Sequence, residues 1–420
     1  MSFRIVVLLL ILIGIDFYVF QGVKVAIRSN SLVAQKISFA TYWTIAFLCI
    51  AFVLLAVLTD WHTWNKMVRT YVFAFVVIIY LSKIVVVPFL VIDDVIRLFR
   101  WMVSYISELF SSSDSQKLQQ GHSISRTQFI VKLGLFAGAI PFVSLIYGML
   151  RGAYNYQVRN VSLKFSNLPG GFNGFKILQF SDLHVGSFTG TQHLEKAVQL
   201  ILKQKPDVVF FTGDLVNDRH AEVLEFSETL KKIKAPMGVY SILGNHDYGD
   251  YYKWNSPEEK KENLQRLIHF HSETGWNILL NEHTFLEKGE EKIGLIGVEN
   301  WSVRSNFHKY GDMKVATAQM NPAAFNILLS HDPSHWNAEI TIDYPFVDMT
   351  LSGHTHGFQF GVEIPGFKWS PVQYFYKEWA DLYQKNHQYL YVNRGLGFIG
   401  YPGRVGILPE ITVFTLHQVS

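Results

Sequence analysis

Five short segments in the C-terminal half of the chain carry side chains that bind metal ions. Each follows an apolar run that predicts a buried strand, at residues 175–180, 208–212, 239–243, 326–329 and 346–351. The segments are Asp182-Leu183-His184, Gly213-Asp214, Gly244-Asn245-His246-Asp247, Ser330-His331-Asp332 and Gly353-His354-Thr355-His356. Because the carboxyl ends of parallel strands meet at one edge of a sheet, we expect these side chains to converge on one site.

The candidate ligands all offer oxygen or imidazole nitrogen, and they are Asp182, His184, Asp214, Asn245, His331, His354 and His356. This set is too large for one divalent ion with an open position, but it suits two ions that share one carboxylate. Two such ions hold a hydroxide near neutral pH and clamp a phosphoryl group opposite it. Mixed carboxylate and imidazole ligands favour Mn²⁺, Fe or Zn²⁺ over Ca²⁺ or Mg²⁺. Each segment alone is a weak signal, and their joint, ordered occurrence predicts the metal site.

The first 150 residues differ in composition from the rest. Hydrophobic residues make up 49% of the chain, and they concentrate in four apolar runs, 3–20, 37–58, 70–90 and 129–150. A helix needs roughly 20 apolar residues to cross a bilayer. The sequence therefore predicts transmembrane helices 1–3 within residues 1–92 and transmembrane helix 4 at residues 129–150. Between them, residues 93–128 predict an amphipathic helix lying on the membrane surface and then a flexible linker.

Two patterns indicate the side of the membrane on which the rest of the chain lies. The segment 125–130 resembles a twin-arginine export signal in which Thr127 replaces the second arginine. With four crossings, lysine and arginine are also more numerous in the loops opposite the C-terminal domain, which the positive-inside rule places in the cytoplasm. We therefore expect a multi-pass protein of the inner or plasma membrane with an extracytoplasmic catalytic domain.

Residues 158–420 predict one α/β domain, in which short apolar strands alternate with amphipathic helices such as 192–203 and 222–232. The net charge of +3 is too small to indicate nucleic-acid binding. The expected partners are therefore the lipid bilayer and a phosphoester substrate. The one cysteine, Cys49, lies in an apolar run and excludes both a thiolate metal site and an intrachain disulfide.

The ordered motifs Asp-x-His, Gly-Asp, Gly-Asn-His-Asp, His and Gly-His-x-His resemble the signature of the calcineurin-like metallophosphoesterases. The flanking segments 176–186 and 393–397 are similar to the membrane-linked, YkuE-like branch of that family. The resemblance covers residues 165–416. It implies an α/β fold, a sandwich of two mixed sheets flanked by helices, here preceded by a bundle of four transmembrane helices.

The same resemblance implies a role for each motif residue. Asp182, His184 and His356 would hold the first ion, and Asn245, His331 and His354 would hold the second. Asp214 would bridge the two ions. His246 would protonate the leaving oxygen, and Asp247 would orient the His246 imidazole.

The expected function is a membrane-anchored phosphoesterase that cuts a phosphodiester or pyrophosphate bond. A lipid or envelope-precursor substrate is expected because four helices are more anchoring than a soluble substrate requires. The alternatives are a broad-specificity phosphodiesterase or phosphatase on soluble substrates, a non-catalytic membrane sensor that retains the fold, and a transport role based on Asp16 and Lys83.

Other side chains are candidates for substrate contacts. Arg304, Arg394 and Arg404 could bind phosphate or a headgroup, although salt bridges explain arginines equally well. The aromatic residues at 248–254, 301, 358 and 369–379 could form a rim that enters the membrane interface, with ordinary packing as the alternative.

Overall fold

The structure, a computed structural model, describes residues 3–59, 61, 64–110 and 126–419. The chain divides into two compact units, Met1–Tyr147 and Gly148–Ser420. The long helices come first, and they are α1 (Phe3–Ala26), α2 (Leu32–Leu58), α3 (Lys66–Phe110) and α4 (Arg126–Leu150). Within the described ranges, these are the four helices long and apolar enough to cross a membrane. The prediction of four membrane-spanning helices is therefore confirmed.

Helix α3 is longer than the sequence analysis predicts. It runs without a break from Lys66 to Phe110 and contains Pro88. The amphipathic stretch that begins at residue 93 is therefore the continuation of the third helix. The prediction of a surface-lying helix of its own in this stretch was wrong. The physical reason is that residues 89–110 contain neither glycine nor proline, so nothing in the sequence ends the helix. The predicted linker at 111–125 lies outside the described residues.

Two of the charged residues buried in the N-terminal unit, Asp16 and Lys83, pair with each other. Lys83 forms an ion pair with Asp16, and Tyr80 donates a hydrogen bond of 2.9 Å to the same carboxylate. A further hydrogen bond of 2.7 Å runs from the Tyr42 hydroxyl to the backbone carbonyl of Asp16. This pairing accounts for the burial of both charges. The transport alternative therefore gains no support from this pair.

The described residues of the C-terminal unit, 148–419, form fourteen strands, numbered in chain order. They are β1 (Gln157–Phe165), β2 (Phe175–Phe180), β3 (Val208–Phe211), β4 (Val239–Ser241), β5 (Trp276–Ile278), β6 (Glu282–Lys288), β7 (Glu291–Gly297), β8 (Asn326–Leu329), β9 (Met349–Ser352), β10 (Val362–Ile364), β11 (Phe367–Trp369), β12 (Asp381–Lys385), β13 (Gln388–Val392) and β14 (Glu410–Gln418). The helices of this unit are α5 (Gln192–Lys203), α6 (Ser227–Leu230), α7 (Pro257–Glu273), α8 (Met313–Ala316) and α9 (Thr341–Asp343).

Two six-stranded mixed sheets form the body of this unit. Their orders are β1-β14-β2-β3-β4-β5 and β12-β13-β9-β8-β7-β6, and β10 and β11 form a separate hairpin. The strands that precede the candidate ligands run parallel, β2, β3 and β4 in the first sheet and β8 and β9 in the second. The predicted α/β architecture of two mixed sheets with flanking helices is confirmed.

Three apolar clusters hold these layers together. Side chains from both sheets, including Phe210 and Ile327, pack against each other between the sheets. Helices α5 and α7 cover the outer face of the first sheet through residues such as Ile201 and Leu267. Helix α8 and the segment that ends at Ile340 cover the second sheet. Both sheets are thus buried on two faces, which is why their parallel strands are mostly apolar.

The predicted helix at residues 222–232 was wrong in form. The chain there makes two 3₁₀ turns, His220–Glu222 and Leu224–Phe226, followed by the four-residue α6. Val223, Phe226 and Leu230 are buried as the pattern requires. Apolar residues three or four apart fit a 3₁₀ turn as well as an α-helix, so spacing alone does not separate the two.

Candidate metal centre

The predicted ligands lie in loops that follow β2, β3, β4, β8 and β9, and these loops meet at one end of the two sheets. Several ligand residues have left-handed backbone conformations, with φ of 50° at Asp182, 44° at His184, 59° at Asp214, 70° at His354 and 50° at His356. Such φ values are uncommon outside glycine and cluster at functional sites. The backbone is therefore shaped to direct these side chains.

Two glycines allow the loops after β3 and β4 to touch. A Cβ atom on Gly213 would lie 2.5 Å from the backbone nitrogen of Gly244. A Cβ atom on Gly244 would lie 2.2 Å from Oδ1 of Asp214. Neither approach tolerates a side chain, so glycine is required in both motifs. The contact brings the carboxylate of Asp214 beside the loop that carries Asn245.

The first cluster of donor atoms is formed by Asp182, His184, Asp214 and His356, all of which are buried. Nε2 of His184 lies 3.0 Å from Nε2 of His356 and 3.4 Å from Oδ2 of Asp214. Nε2 of His356 lies 3.3 Å from Oδ1 of Asp182. Two imidazoles and two carboxylates therefore direct their donor atoms at a common point.

The second cluster shares Asp214 with the first and adds His331 and His354. Nε2 of His331 lies 3.1 Å from Oδ2 of Asp214, the same oxygen that approaches His184. Oδ1 of Asn245 lies 2.8 Å from Nδ1 of His354 and completes this group with a neutral oxygen. The predicted ligands thus form two adjoining groups joined by one carboxylate.

The hydrogen bonds around these groups leave lone pairs facing each other. The carbonyl of Thr212 can only accept, so Nδ1 of His331 carries the proton of their 2.7 Å bond, and Nε2 of the neutral ring has a lone pair. That lone pair faces the Asp214 carboxylate. The amide nitrogen of Asn245 donates to Tyr251 at 2.9 Å, so the amide oxygen turns its lone pairs toward His354. Facing lone pairs repel unless a cation lies between them, so the residues present fit a metal centre.

The electrostatics of the buried cluster agree with this fit. Burial opposes a positive charge on His331, yet the carboxylates of Asp214 and Asp182 raise its pKa to about 10, so Nε2 holds a cation, either a proton or a metal ion, where it faces Asp214. Burial likewise opposes the negative charge on Asp214, but His331 and His246 hold the pKa of this carboxyl well below its usual range. A field that retains a proton on a buried imidazole is one that attracts divalent cations.

His246 lies at the border of the first cluster. Its backbone nitrogen donates to Oδ1 of Asp214 at 2.9 Å, and its ring packs 4.9 Å from the ring of His184. Nδ1 of His246 donates to the carbonyl of Asn217 at 2.8 Å, which leaves Nε2 as the atom available for proton transfer. Burial lowers the pKa of His246 to about 4, so the ring is neutral at neutral pH.

The predicted contact between Asp247 and the His246 imidazole was wrong. Oδ2 of Asp247 accepts from the backbone nitrogens of Gly244 and Asp214, both at 2.9 Å. Oδ1 accepts from the two residues after Asp214 at 2.8 and 3.2 Å. The carboxylate is therefore occupied by backbone N–H groups, and it ties the loop after β3 to the loop after β4. The His246 ring instead takes its orientation from Asn217.

Two residues outside the motifs hold ligands in place. The hydroxyl of Tyr376 lies 2.8 Å from Nε2 of His354 and donates to Asp332 at 3.1 Å. Nη2 of Arg404 lies 3.2 Å from Nδ1 of His356. No spacing signal marks Tyr376 or Arg404, because both lie far along the chain from the ligands that they touch. Asp332 directly follows His331, so its position could have suggested this role.

The three candidate arginines have different environments. Arg394 is fully buried and pairs with Glu410, Asp381 and Glu363, so its predicted availability to a phosphate was wrong. Arg404 is also buried, and its guanidinium donates to the carbonyl of Gly397 at 2.6 Å. Both form the long-range contacts that the sequence could not show.

Arg304 is partly exposed at the border of the site. It donates to the backbone carbonyl of Phe375 at 3.1 Å, and its guanidinium lies 4.9 Å from the ring centre of Tyr376. Because Tyr376 contacts the ligand His354, Arg304 is the candidate arginine that stays close to both the metal centre and solvent.

Neither donor cluster includes the following histidines outside the motifs, which are His269, His271, His283, His308, His335 and His387. His271 and His335 are buried and contact serine hydroxyls at 2.9 Å, which is ordinary core hydrogen bonding. The ligand set that the sequence predicts is therefore the one that the fold brings together.

Comparison with known protein families gives two matches along the chain. A model described as a probable calcineurin-like phosphoesterase transmembrane domain matches residues 1–153. A model described as calcineurin-like phosphoesterase matches residues 175–358. The second match contains all of the predicted ligands, and the first contains the predicted membrane helices.

Individual relatives agree with these matches. The chain is 32% identical over 317 residues to the uncharacterized metallophosphoesterase YkuE of Bacillus subtilis, covering 71% of this chain and 99% of that protein. It is 30% identical over 288 residues to a transmembrane protein with metallophosphoesterase domain of Danio rerio, covering 66% of this chain and 61% of that protein. It is 28% identical over 284 residues to the UDP-2,3-diacylglucosamine pyrophosphatase LpxG of Chlamydia trachomatis, covering 57% of this chain and 81% of that protein. The resemblance indicated by the motifs is confirmed.

Proposed function

Because this chain belongs to the calcineurin-like phosphoesterases and is a metal-dependent hydrolase of the membrane, we propose that it cuts a phosphodiester or pyrophosphate bond on a lipid-linked substrate. The observation that carries the proposal is the pair of donor clusters joined through the single carboxylate of Asp214. Two adjoining cation sites are an arrangement that phosphatases and nucleases use for phosphoester hydrolysis.

The residues would hold two divalent ions, Mn²⁺, Fe or Zn²⁺ by the chemistry of the donors. Asp182, His184 and His356 would hold one ion, Asn245, His331 and His354 the other, and Asp214 both. Bound there, such ions lower the pKa of water and neutralise the charge of a phosphoryl group. Tyr376 and Arg404 keep the imidazoles of His354 and His356 in position for this task.

His246 is proposed as the group that gives a proton to the leaving oxygen. Its Nδ1 is committed to the carbonyl of Asn217, so Nε2 carries the transferred proton. The ring of the free site is neutral, and it takes a proton from solvent when a negatively charged phosphate binds and stabilises the imidazolium. Positioned acid catalysis of this kind is worth about 10²–10⁴ in rate.

The test separates metal binding from proton transfer. The His246→Ala variant should retain the metal content of the parent protein, measured by elemental analysis, and lose most of its turnover on an aryl phosphodiester. The matched Asp214→Asn variant should lose both, because it changes the shared ligand. Equal loss of metal in the two variants would show that His246 is a ligand or a structural residue, against the proposal.

A lipid-linked substrate is favoured by two observations. The chain carries four helices able to span a membrane, and one relative is named as a pyrophosphatase of a diacylated nucleotide sugar. Purified protein with added Mn²⁺ should therefore hydrolyse phospholipids or nucleotide-linked lipids faster than a soluble aryl phosphodiester. A preference for the soluble substrate would favour the broad-specificity alternative.

We further propose that the catalytic domain lies outside the cytoplasm, as the charge distribution of the loops indicates. Lys261, on α7, is exposed, whereas the neighbouring Lys260 pairs with Asp250. A Lys261→Cys variant in intact cells should therefore react with a membrane-impermeant thiol reagent. Labelling only after the cells are broken would place the domain in the cytoplasm.

A further inference from the structure

The hairpin formed by β10 and β11 has its polar side chains directed inward and its apolar side chains directed outward. In its register Val362 pairs with Trp369, Glu363 with Lys368, and Ile364 with Phe367. Val362, Ile364 and Phe367 are 43%, 58% and 55% exposed. A hairpin on the surface of a soluble domain normally shows the opposite alternation.

The inward direction of the charged pair is fixed by ion pairs. Glu363 accepts from Arg159 and from Arg394, each at 2.9 Å. Lys368 lies 2.7 Å from Asp381. Because successive residues of a strand point to opposite faces, these ion pairs force the apolar residues of both strands toward the outside. The outward apolar face is therefore built into the hairpin and is not a chance exposure of single side chains.

The apolar face continues toward the metal centre. Nε1 of Trp369 lies 3.4 Å from the hydroxyl of Tyr374, which is 73% exposed, and Phe375 beside it is 58% exposed. The next residue, Tyr376, contacts the ligand His354 at 2.8 Å. On the other side, Ser370 donates to the carbonyl of Gly357 at 2.8 Å, next to the ligand His356 and the exposed Phe358. We name the outward face of the hairpin with Phe358, Tyr374 and Phe375 the apolar rim.

Within the C-terminal unit, the hairpin lies close to residues 148–150, in which α4 ends. The backbone nitrogen of Arg404 donates to the carbonyl of Gly148, in the last turn of α4, at 3.2 Å. The following residue, Val405, pairs with Phe360, two residues before the hairpin begins. Gly152 lies so near that a Cβ atom on it would be 1.9 Å from the carbonyl oxygen of Arg404. The hairpin is thus linked through two short contacts to the point where α4 ends.

The connection between the span and the catalytic domain is short. Helix α4 ends at Leu150 and β1 begins at Gln157, so six residues, 151–156, lie between them. Six extended residues reach roughly 20 Å at most. Gln157 and Ile364 line the same surface depression. The apolar rim therefore cannot lie far from the leaflet at which α4 leaves the membrane.

We propose that the apolar rim enters the interface of that leaflet and brings the metal centre to the lipid headgroups. Exposed apolar surfaces of this kind mark membrane or protein contacts, and tryptophan and tyrosine favour the headgroup region. The proximity of a membrane span selects the bilayer as the occupant. The inference rests on the proposed function, and it specifies that the phosphoester is taken from a lipid in the membrane plane.

The test measures depth in the membrane and needs no turnover. Single cysteines at Ile364 and Phe367 of the full chain carry an environment-sensitive fluorophore, and the protein is reconstituted in phosphatidylcholine vesicles that contain headgroup-region nitroxide lipids. The matched control is Val315 on α8, which is 58% exposed like Ile364. Native Cys49 is fully buried, so the unsubstituted protein reports its background labelling. We expect the nitroxide lipids to quench the labels at 364 and 367 and not the label at 315.

The other outcomes overturn the proposal in distinguishable ways. Equal quenching at 364 and 315 would show that the rim has no special contact with lipid. Protection of 364 from aqueous iodide without quenching by nitroxide lipids would show that a protein surface covers it. The same vesicles are then assayed with a soluble aryl phosphodiester. Turnover without quenching by the nitroxide lipids would contradict contact between the rim and lipid but support the proposed phosphoesterase activity. Quenching without turnover would support the lipid contact but contradict the proposed activity.

A second measurement removes the dependence on labels. In the Ile364→Ser/Phe367→Ser variant, turnover of a vesicle-embedded lipid phosphoester should fall relative to turnover of a soluble aryl phosphodiester. The Val315→Ser variant should keep the ratio of the parent protein. An unchanged ratio in the double variant would contradict delivery of the substrate through the rim.

Discussion

Replacing Asp247 by Asn tests the role that the structure gives this carboxylate. Oδ1 accepts from Leu215 and Val216, and Oδ2 accepts from Asp214 and Gly244. Asparagine at position 247 keeps one acceptor oxygen, but its NH₂ group replaces the other oxygen and faces two backbone N–H donors. Two of the four hydrogen bonds are therefore lost. Each hydrogen bond to a charged group contributes about 1.5–3 kcal/mol, so losing two costs about 3–6 kcal/mol. At about 2–4 °C per kcal/mol, the melting temperature should fall by at least about 6 °C.

The loss should also reach the metal centre, since these backbone groups position Asp214 and Asn245. We expect Asp247→Asn to bind metal more weakly, which elemental analysis after dialysis and thermal unfolding with and without added Mn²⁺ would measure. His246→Ala is the matched comparison, because it removes a neighbouring side chain outside the ligand set. A variant with full metal content, an unchanged melting temperature and little activity would refute this reasoning and restore the role of Asp247 in orienting His246.

Two further predictions follow from single contacts. Tyr376→Phe removes the hydroxyl at 2.8 Å from the ring of His354, and because partners of metal ligands are worth about 10–100-fold in affinity, chelator competition should show a loss in that range. The exposed Tyr374→Phe should show none. Although burial opposes the charge of Asp381, Arg394 holds the pKa of this carboxyl well below its usual range, so its stabilisation is fully present above about pH 4 and is lost on further acidification. The difference in unfolding free energy between the parent and Asp381→Asn should therefore shrink as the pH falls below 4, and a constant difference would contradict the ion pair.

The strands and ligands were predictable because their signals are local. The run at 175–180 is mostly apolar because five of its six residues are buried, and the structure gives the same bounds, Phe175–Phe180. The helix at 192–203 also agrees, because its apolar positions repeat with the period of an α-helix. Each ligand lies in the loop that follows one of the predicted strands, so locating the strands was enough to locate the ligands.

The long-range contacts of the charged side chains around the site were not predictable, because their partners come from distant segments. Arg394 pairs with residues 13, 16 and 31 positions away, and the sequence does not show whether an arginine is buried or exposed. The Asp247 carboxylate serves backbone groups 31 to 33 positions earlier as well as its own turn. Motif spacing specifies residue types, whereas hydrogen-bond assignment depends on how two loops approach each other.

The β10–β11 hairpin shows the same limit in a form that bears on function. Its alternation of Val362, Glu363 and Ile364 is the ordinary pattern of a half-buried strand, which predicts the apolar face inward. The two-residue alternation of a strand defines two faces but does not show which of them is buried. Here the buried Arg394 requires an acidic partner, and Glu363 supplies it. The buried charge of Arg394 therefore determines that the face of the hairpin with Glu363 turns inward. The apolar side chains face outward, where the membrane interface proposed above would accommodate them.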